Sequence, residues 1–248
     1  VESLKGRRAV VTGASKGLGR RIAEALTAEG AKVALFARPS AELNEVAAAL
    51  GEAAVAVPCD IRSPEAVREA MAKAAEALGG IDILINNAAA LRLSPLETIT
   101  DAWVRDEIET NLMAPIWTVR EAAPHLRRAK GHIVNITSEG VTQNPPYIGL
   151  YSATKAAVEA LSFCLKRELA PDVRVTVIRA GRMKGSSLQQ DSSMEWKEAY
   201  LEKNRLFGMN ADNGAFMDFS SVAEALVQVL KLPEEISSDL VVLRGRIG

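Results

Sequence analysis

The sequence predicts a doubly wound α/β fold: a parallel seven-stranded sheet with helices on both faces. Three observations carry this. Seven short apolar runs, each bounded by turn residues, recur along the 248 residues. Each run is apolar throughout, without the alternation of a half-exposed strand. Stretches with helical periodicity separate the runs, as crossovers between parallel strands require.

Taken in order, the first strand at 8–12 feeds the loop Thr12-Gly13-Ala14-Ser15-Lys16-Gly17-Leu18-Gly19, which opens a helix over 18–29 that stops at Gly30. A strand at 32–37 leads to a helix at 41–50 closed by Gly51, and a third strand follows at 53–57. Ser63-Pro64-Glu65 sets a cap before a proline at the first helical position, starting a helix over 64–78 that ends at Gly79. Next come a strand at 81–86, a long helix at 102–128, a strand at 132–137, a helix at 152–169 and a strand at 173–179. The region 182–219 reads as irregular. Ser221-x-x-Glu224 has the form of a capping box before a helix at 222–230, and a last strand lies at 239–244. No repeat, low-complexity tract or linker divides the chain, so one domain over 1–248 is expected.

Composition excludes several function classes. A net charge of -1 with 25% charged and 48% hydrophobic residues leaves no electrostatic footprint for nucleic acid or an anionic membrane. No apolar run approaches the ~18 residues of a membrane span. The opening Val1-Glu2-Ser3-Leu4-Lys5 lacks the apolar core of a signal peptide, so a cytoplasmic protein is expected. Cys59 and Cys164 lie among apolar residues without CxxC spacing, which predicts buried reduced thiols. His125 and His132 are no better placed as ligands, and no metal is expected.

Strand, glycine loop and helix in that order suit a pyrophosphate. Gly13, Gly17 and Gly19 allow a tight turn, close backbone approach and close helix packing, while the helix N-terminus faces the anion. The spacing is GxxxGxG, not the more familiar GxGxxG. In dinucleotide-binding folds an acidic residue about 20 positions on holds the ribose 2′-hydroxyl of NAD. That place is taken here by Ala37, followed by Arg38. An arginine offers a planar fork to a 2′-phosphate, and Lys16 adds a second positive charge, which predicts NADP(H) over NAD(H).

Tyr151 and Lys155 stand four apart, so a helix through them stacks a phenol and an ammonium on one face. A free phenol titrates near 10 and needs its anion stabilised to exchange protons at neutral pH. At about 4 Å an ammonium supplies roughly 1 kcal/mol in water and about 4 kcal/mol at an effective dielectric of 20. Each pKa unit needs about 1.4 kcal/mol, so only a partly desolvated pair is expected to reach neutrality. Upstream, Pro115 lacks the N–H that would bond the carbonyl of Asn111 four residues earlier, which predicts a kink and a freed carbonyl there.

With these residues in hand, nearly the whole chain resembles the short-chain dehydrogenase/reductase family in its single-domain form, a Rossmann fold. The resemblance rests on Thr12-Gly13-x-x-x-Gly17-x-Gly19, Asp60, Asn86-Asn87-Ala88, Asn111, Ser138 and Tyr151-x-x-x-Lys155, with Ser138 thirteen positions before Tyr151. It implies that Tyr151 exchanges a proton with the substrate oxygen as hydride moves to or from nicotinamide, and that Lys155 lowers the phenol pKa and bonds the nicotinamide ribose. It implies that Ser138 holds the same oxygen and that the main chain of Asn111 binds a relay water. Asp60 and Ile61 would meet adenine, Asn87 would fix the central strand ends, and Asn86 and Ala88 would offer backbone to the ribose side. The chain departs from the family pattern at Ala89, at Ala180 before Gly181, and at Gly185, where the carboxamide-binding threonine is expected and Ser186 or Ser187 offers a substitute hydroxyl.

The segment 182–219 would then form a flap over the site, with Met194, Trp196, Tyr200, Leu201, Phe207, Met209 and Phe216 as apolar pocket candidates. Tyr147 ranks as a pocket residue, and Glu139, Arg92 and Arg182 are candidates for a polar substrate group. The expected activity is interconversion of a small carbonyl and an alcohol with NADP(H). A cofactor-binding regulator without turnover is the alternative. Family helices equivalent to those at 102 and 152 build homodimers and homotetramers, so a homo-oligomer is expected.

Overall fold

The computed structural model describes residues 3–189, 192–209 and 216–246. Its strands are β1 (Arg8–Thr12), β2 (Lys32–Ala37), β3 (Ala54–Pro58), β4 (Ile83–Asn86), β5 (His132–Ser138), β6 (Arg174–Ala180) and β7 (Leu240–Leu243). The helices are α1 (Gly17–Ala28), α2 (Ala41–Leu50), α3 (Pro64–Leu78), α4 (Asp101–Ile108), α5 (Ala114–Ala129), α6 (Gly140–Gln143), α7 (Gly149–Glu168), α8 (Met194–Leu206) and α9 (Phe219–Leu230). All strand pairs are parallel, in the order β3-β2-β1-β4-β5-β6-β7. The order reverses between β1 and β4, and that switch point opens a crevice at the carboxyl ends of the strands.

Period-two geometry explains the unbroken apolar runs. Val10, Ala34, Leu84 and Ile133 point into one layer, against α3, α5 and α7. Their neighbours Val11, Leu35, Ile85 and Val134 point into the other, against α1 and α9.

Several expectations needed correction. β4 begins at Ile83, because Asp82 turns its carboxylate to the backbone and side chain of Arg8, each at 2.7 Å. The Ser221 capping box does not form: α9 starts at Phe219, placing Ser221 inside its first turn. Ser63 does cap α3, accepting from Ala66 N at 3.1 Å. Cys59 is buried as expected, and burial pushes its thiol up to about 11, but Cys164 lies exposed on α7. The expected single long helix is interrupted where a kink is expected ahead of Pro115. There one π turn at Glu109–Met113 joins α4 to α5, with Ala114 N donating to Glu109 O, a common way to absorb a lost α-ladder bond. Region 182–219 is not wholly irregular, since it carries α8; its residues 190–191 and 210–215 lie outside the described residues, as do the chain ends of the expected 1–248 domain.

Candidate active site

The crevice is built first by a clamp between two strand ends. Thr12 Oγ1 accepts the N–H groups of Asn87 at 3.0 Å and Ala88 at 3.1 Å, while Asn87 Nδ2 returns a bond to Thr12 O at 2.9 Å. Asn87 thus fixes the central strands, and Thr12, read only as part of the loop, is the other half of the clamp. The helix behind comes close enough that a Cβ on Gly19 would sit 2.5 Å from Asn87 Nδ2 and within contact of Gly13 O. No side chain caps α1 at Lys16 and its first turn holds no acid. The first N–H groups of α1 therefore face the crevice as donors for an anion.

A cleft of about 1290 Å³ runs along the carboxyl ends of the sheet. Gly13, Ser15, Lys16, Gly17, Leu18, Gly19, Arg38, Asp60, Ile61, Asn87, Ala88, Ser138, Tyr151, Lys155 and Gly181 all line it. Arg38 is exposed at its rim and makes no hydrogen bond or ion pair with any described residue. The Asp60 carboxylate is engaged by Arg62, at 2.6 Å and 2.9 Å, and Arg62 continues to Asp106 at 2.6 Å. These donors suit a phosphate-bearing dinucleotide. The uncapped helix terminus offers backbone donors to an anion, and the Arg38 guanidinium stands exposed at the rim of the same cleft.

At the other end, β5 delivers Ser138 and α7 delivers Tyr151 and Lys155. Ser138 and Tyr151 line the cleft together, with the Ser138 hydroxyl drawing the phenol pKa down and accepting from Gly140 N at 3.1 Å. Tyr151 and Lys155 are 7% and 3% exposed, so the desolvation the pair requires is present. Burial pushes the phenol up to about 12 against the Ser138 bond, with the Glu107 carboxylate adding to the rise. Burial also pushes the Lys155 amine down to about 8. Lys155 Nζ donates to Ile136 O at 2.9 Å and lies 5.8 Å from the centre of the phenol ring.

Asn111 is fully buried behind the cleft and does not line it. Its side chain clamps Ala90, accepting from its N and donating to its O, both at 2.8 Å, and also donates to Thr154 Oγ1 at 3.2 Å. Beneath lies a buried polar ladder that the sequence did not reveal: Thr118 to Asn86 at 2.7 Å, Asn86 to Asn135 at 2.8 Å, and Asn135 to Ser162 at 2.8 Å. It crosses α5, β4, β5 and α7 and holds them in one register.

Of the flap candidates, Tyr200, Leu201 and Phe216 line the cleft. Met194 and Phe207 are exposed, and Met209 stands away from the lining. Tyr147 is corrected: its ring packs on Trp196 at 6.1 Å and does not line the cleft. Ser192 anchors the segment, its Oγ accepting from Leu93 N at 2.8 Å. Among the polar candidates, Glu139 pairs with Arg244, and Arg92 pairs with Asp106 at 3.0 Å while lying over Trp103. Gly185 has φ +70, a left-handed backbone that a threonine would strain, and Ser186 and Ser187 line the cleft beside it. Among the described residues no cluster of His, Cys, Asp and Glu could hold a metal ion, and no helix is long and apolar enough to cross a membrane.

Comparison with known proteins converges on this geometry. A family model described as short chain dehydrogenase matches residues 7–196. An uncharacterized oxidoreductase of Staphylococcus aureus is 33% identical over 240 residues, 95% of this chain and 96% of that protein. A short chain dehydrogenase from Burkholderia cenocepacia, solved in complex with NADP, is similar with a TM-score of 0.83 and 32% identity, covering 98% of both chains. An alcohol dehydrogenase from Thermococcus sibiricus complexed with 5-hydroxy-NADP has a TM-score of 0.84 and 27% identity, covering 98% of this chain and 97% of that one.

Proposed function

The chain belongs to the short chain dehydrogenase family, oxidoreductases that bind a nicotinamide cofactor, and on that premise we propose that it interconverts a carbonyl and an alcohol with NADP(H). The observation that carries the reading is Tyr151, Ser138 and Lys155 together at the dry end of a cleft whose other end offers an uncapped helix terminus and an unpaired arginine. The cofactor supplies or accepts the hydride when bound. The chain handles the proton. Ser138 orients the carbonyl oxygen, and Tyr151, whose burial keeps it protonated, donates to that oxygen in reduction. In oxidation Tyr151 must first lose its proton, so that direction is favoured by alkali. The reading places a substrate flap in the described parts of 182–219, where Tyr200, Leu201 and Phe216 line the cleft, within a single catalytic domain whose site floor is held by the buried side chain of Asn111.

A panel of ketones, aldehydes and alcohols assayed with NADPH and NADP+ tests the reading. Turnover on at least one member is expected. NADPH binding without oxidation across the panel would favour the non-catalytic regulator.

Cofactor preference is tested separately. The proposal is that Arg38, with Lys16, binds the 2′-phosphate, and that Ala37 withholds the carboxylate NAD would need. Arg38→Ala should weaken NADPH binding by about tenfold, the loss of one charge-assisted contact. Ala37→Asp should raise the ratio of NADH to NADPH efficiency by a similar factor. If both variants leave the ratio unchanged, the phosphate binds elsewhere.

The reading extends to a homodimer or homotetramer, supported by β7, an edge strand with Leu240 and Val242 36% and 39% exposed. Light scattering should return two or four times the 26.5 kDa chain mass. A monomer throughout the assayed concentration range would remove the extension.

A further inference from the structure

Glu107 is 1% exposed, in a stretch, Asp106-Glu107-Ile108-Glu109, that reads as a solvated helix face. Carboxylates are rarely buried without an assignment. Its Oε1 accepts the N–H of Arg92 at 2.8 Å. Asn111, one turn further along the same helical path, holds Ala90 by both backbone groups. Two side chains therefore fix alternate residues of one loop strip. That strip places Leu91 and Leu93 in the same apolar cluster as Tyr151, Ile148 and Tyr200.

We propose that Glu107 is a positioning residue for Tyr151, holding the strip 91–93 against the phenol through the Arg92 N–H and opposing the phenol's ionisation through its own negative charge. The inference rests on the reading of Tyr151 as the proton-exchanging group. The charged and titratable groups around Glu107 are Asp106 on its own helix, Arg92 on the strip and Tyr151 on α7. Asp106 is held by Arg62 and Arg92, which leaves Glu107 as the buried carboxylate bonded to the strip that shares an apolar cluster with the phenol. Burial pushes the Glu107 carboxyl up to about 7, against the Arg92 N–H and guanidinium, with Asp106 adding to the rise. The sign follows: above neutrality Glu107 is charged and holds Tyr151 protonated, and below about pH 6 it is neutral and the opposition vanishes.

Glu107→Gln keeps an acceptor for Arg92 N and removes the charge, whereas Glu107→Leu removes both. The readout is the ultraviolet titration of the Tyr151 phenolate, taken as the difference from Tyr151→Phe, which needs neither cofactor nor turnover. In Glu107→Gln the midpoint should fall by about 0.5–1 unit, a three- to tenfold gain in phenolate at fixed pH. The alkaline limb of kcat/KM for alcohol oxidation should move with it, and the profiles of variant and wild type should converge at low pH. Glu107→Leu should show the same midpoint shift together with a raised KM, as the strip loosens. A Glu107→Gln titration superimposed on wild type overturns the proposal even if Glu107→Leu does not fold. If instead Tyr151→Phe retains full activity, the functional reading fails, while the titration still reports on Glu107.

Discussion

Replacing Tyr151 with phenylalanine is expected to lower kcat by about 10²–10⁴-fold, the range for losing a positioned general acid, while NADPH affinity stays within about threefold. The ring occupies the apolar cluster with Leu91, Leu93, Ile148 and Tyr200, and phenylalanine fills the same volume. What is lost is a hydroxyl partnered by Ser138. Fold and cleft should persist, so the variant isolates chemistry from binding. A steady-state comparison on the best substrate, with cofactor affinity measured by fluorescence, checks both halves. Full retained activity would remove Tyr151 from the mechanism. A parallel loss of cofactor affinity would assign the phenol to binding instead.

The second large effect is expected at Gly19. Its added Cβ would meet Gly13 O and Asn87 Nδ2, and neither is the loose end of a flexible side chain. Gly13 O is backbone, and Asn87 is tied to Thr12 O at 2.9 Å. Gly19→Ala must therefore push α1 away from the loop or break the clamp between β1 and β4. Overpacking of this kind costs roughly 1–3 kcal/mol, and a chain of this size loses roughly 2–4 °C in Tm per kcal/mol. Because the displaced groups form the anion cradle, NADPH affinity should fall by at least about tenfold, beyond what destabilisation alone produces. Differential scanning fluorimetry with and without NADPH reads both quantities. An unchanged Tm with unchanged cofactor protection would show that the loop absorbs the methyl, and the cradle's dependence on close packing would fall.

Burial inverts the simplest expectation about Tyr151 and Lys155. A dry environment strengthens attraction between charges, and it also penalises each charge on its own. With Lys155 turned to Ile136 O, the penalty dominates and the phenol is held as an acid. That state suits carbonyl reduction directly.

Much of this site was legible before any coordinates. The glycine loop, Arg38, Tyr151 and Lys155 are legible from strand ends and spacing, and Asp60, Asn87 and Ser138 through the family resemblance, and all of them line one cleft. Helix α8 was not, because only Tyr200 and Asn204 of its residues are buried, too few to print an apolar period. Glu107 was missed for the opposite reason: a glutamate next to Asp106 and two residues before Glu109 carries the local signature of solvent. Thr118, Asn135 and Ser162 were invisible because a polar ladder between distant residues leaves no pattern along the chain.

By itself the sequence determined the order of strands and helices, and therefore which residues emerge at the carboxyl ends of a parallel sheet. Those features follow from periodicity and capping, which act between near neighbours. Only the tertiary structure decided which cations are paired, which carboxylate is buried, and in which direction burial pushes the Tyr151 phenol. Those are decided by desolvation and by partners brought from far along the chain, such as Glu107 with Arg92 and Arg62 with Asp106, and electrostatic energy depends on distance and dielectric, not on sequence separation.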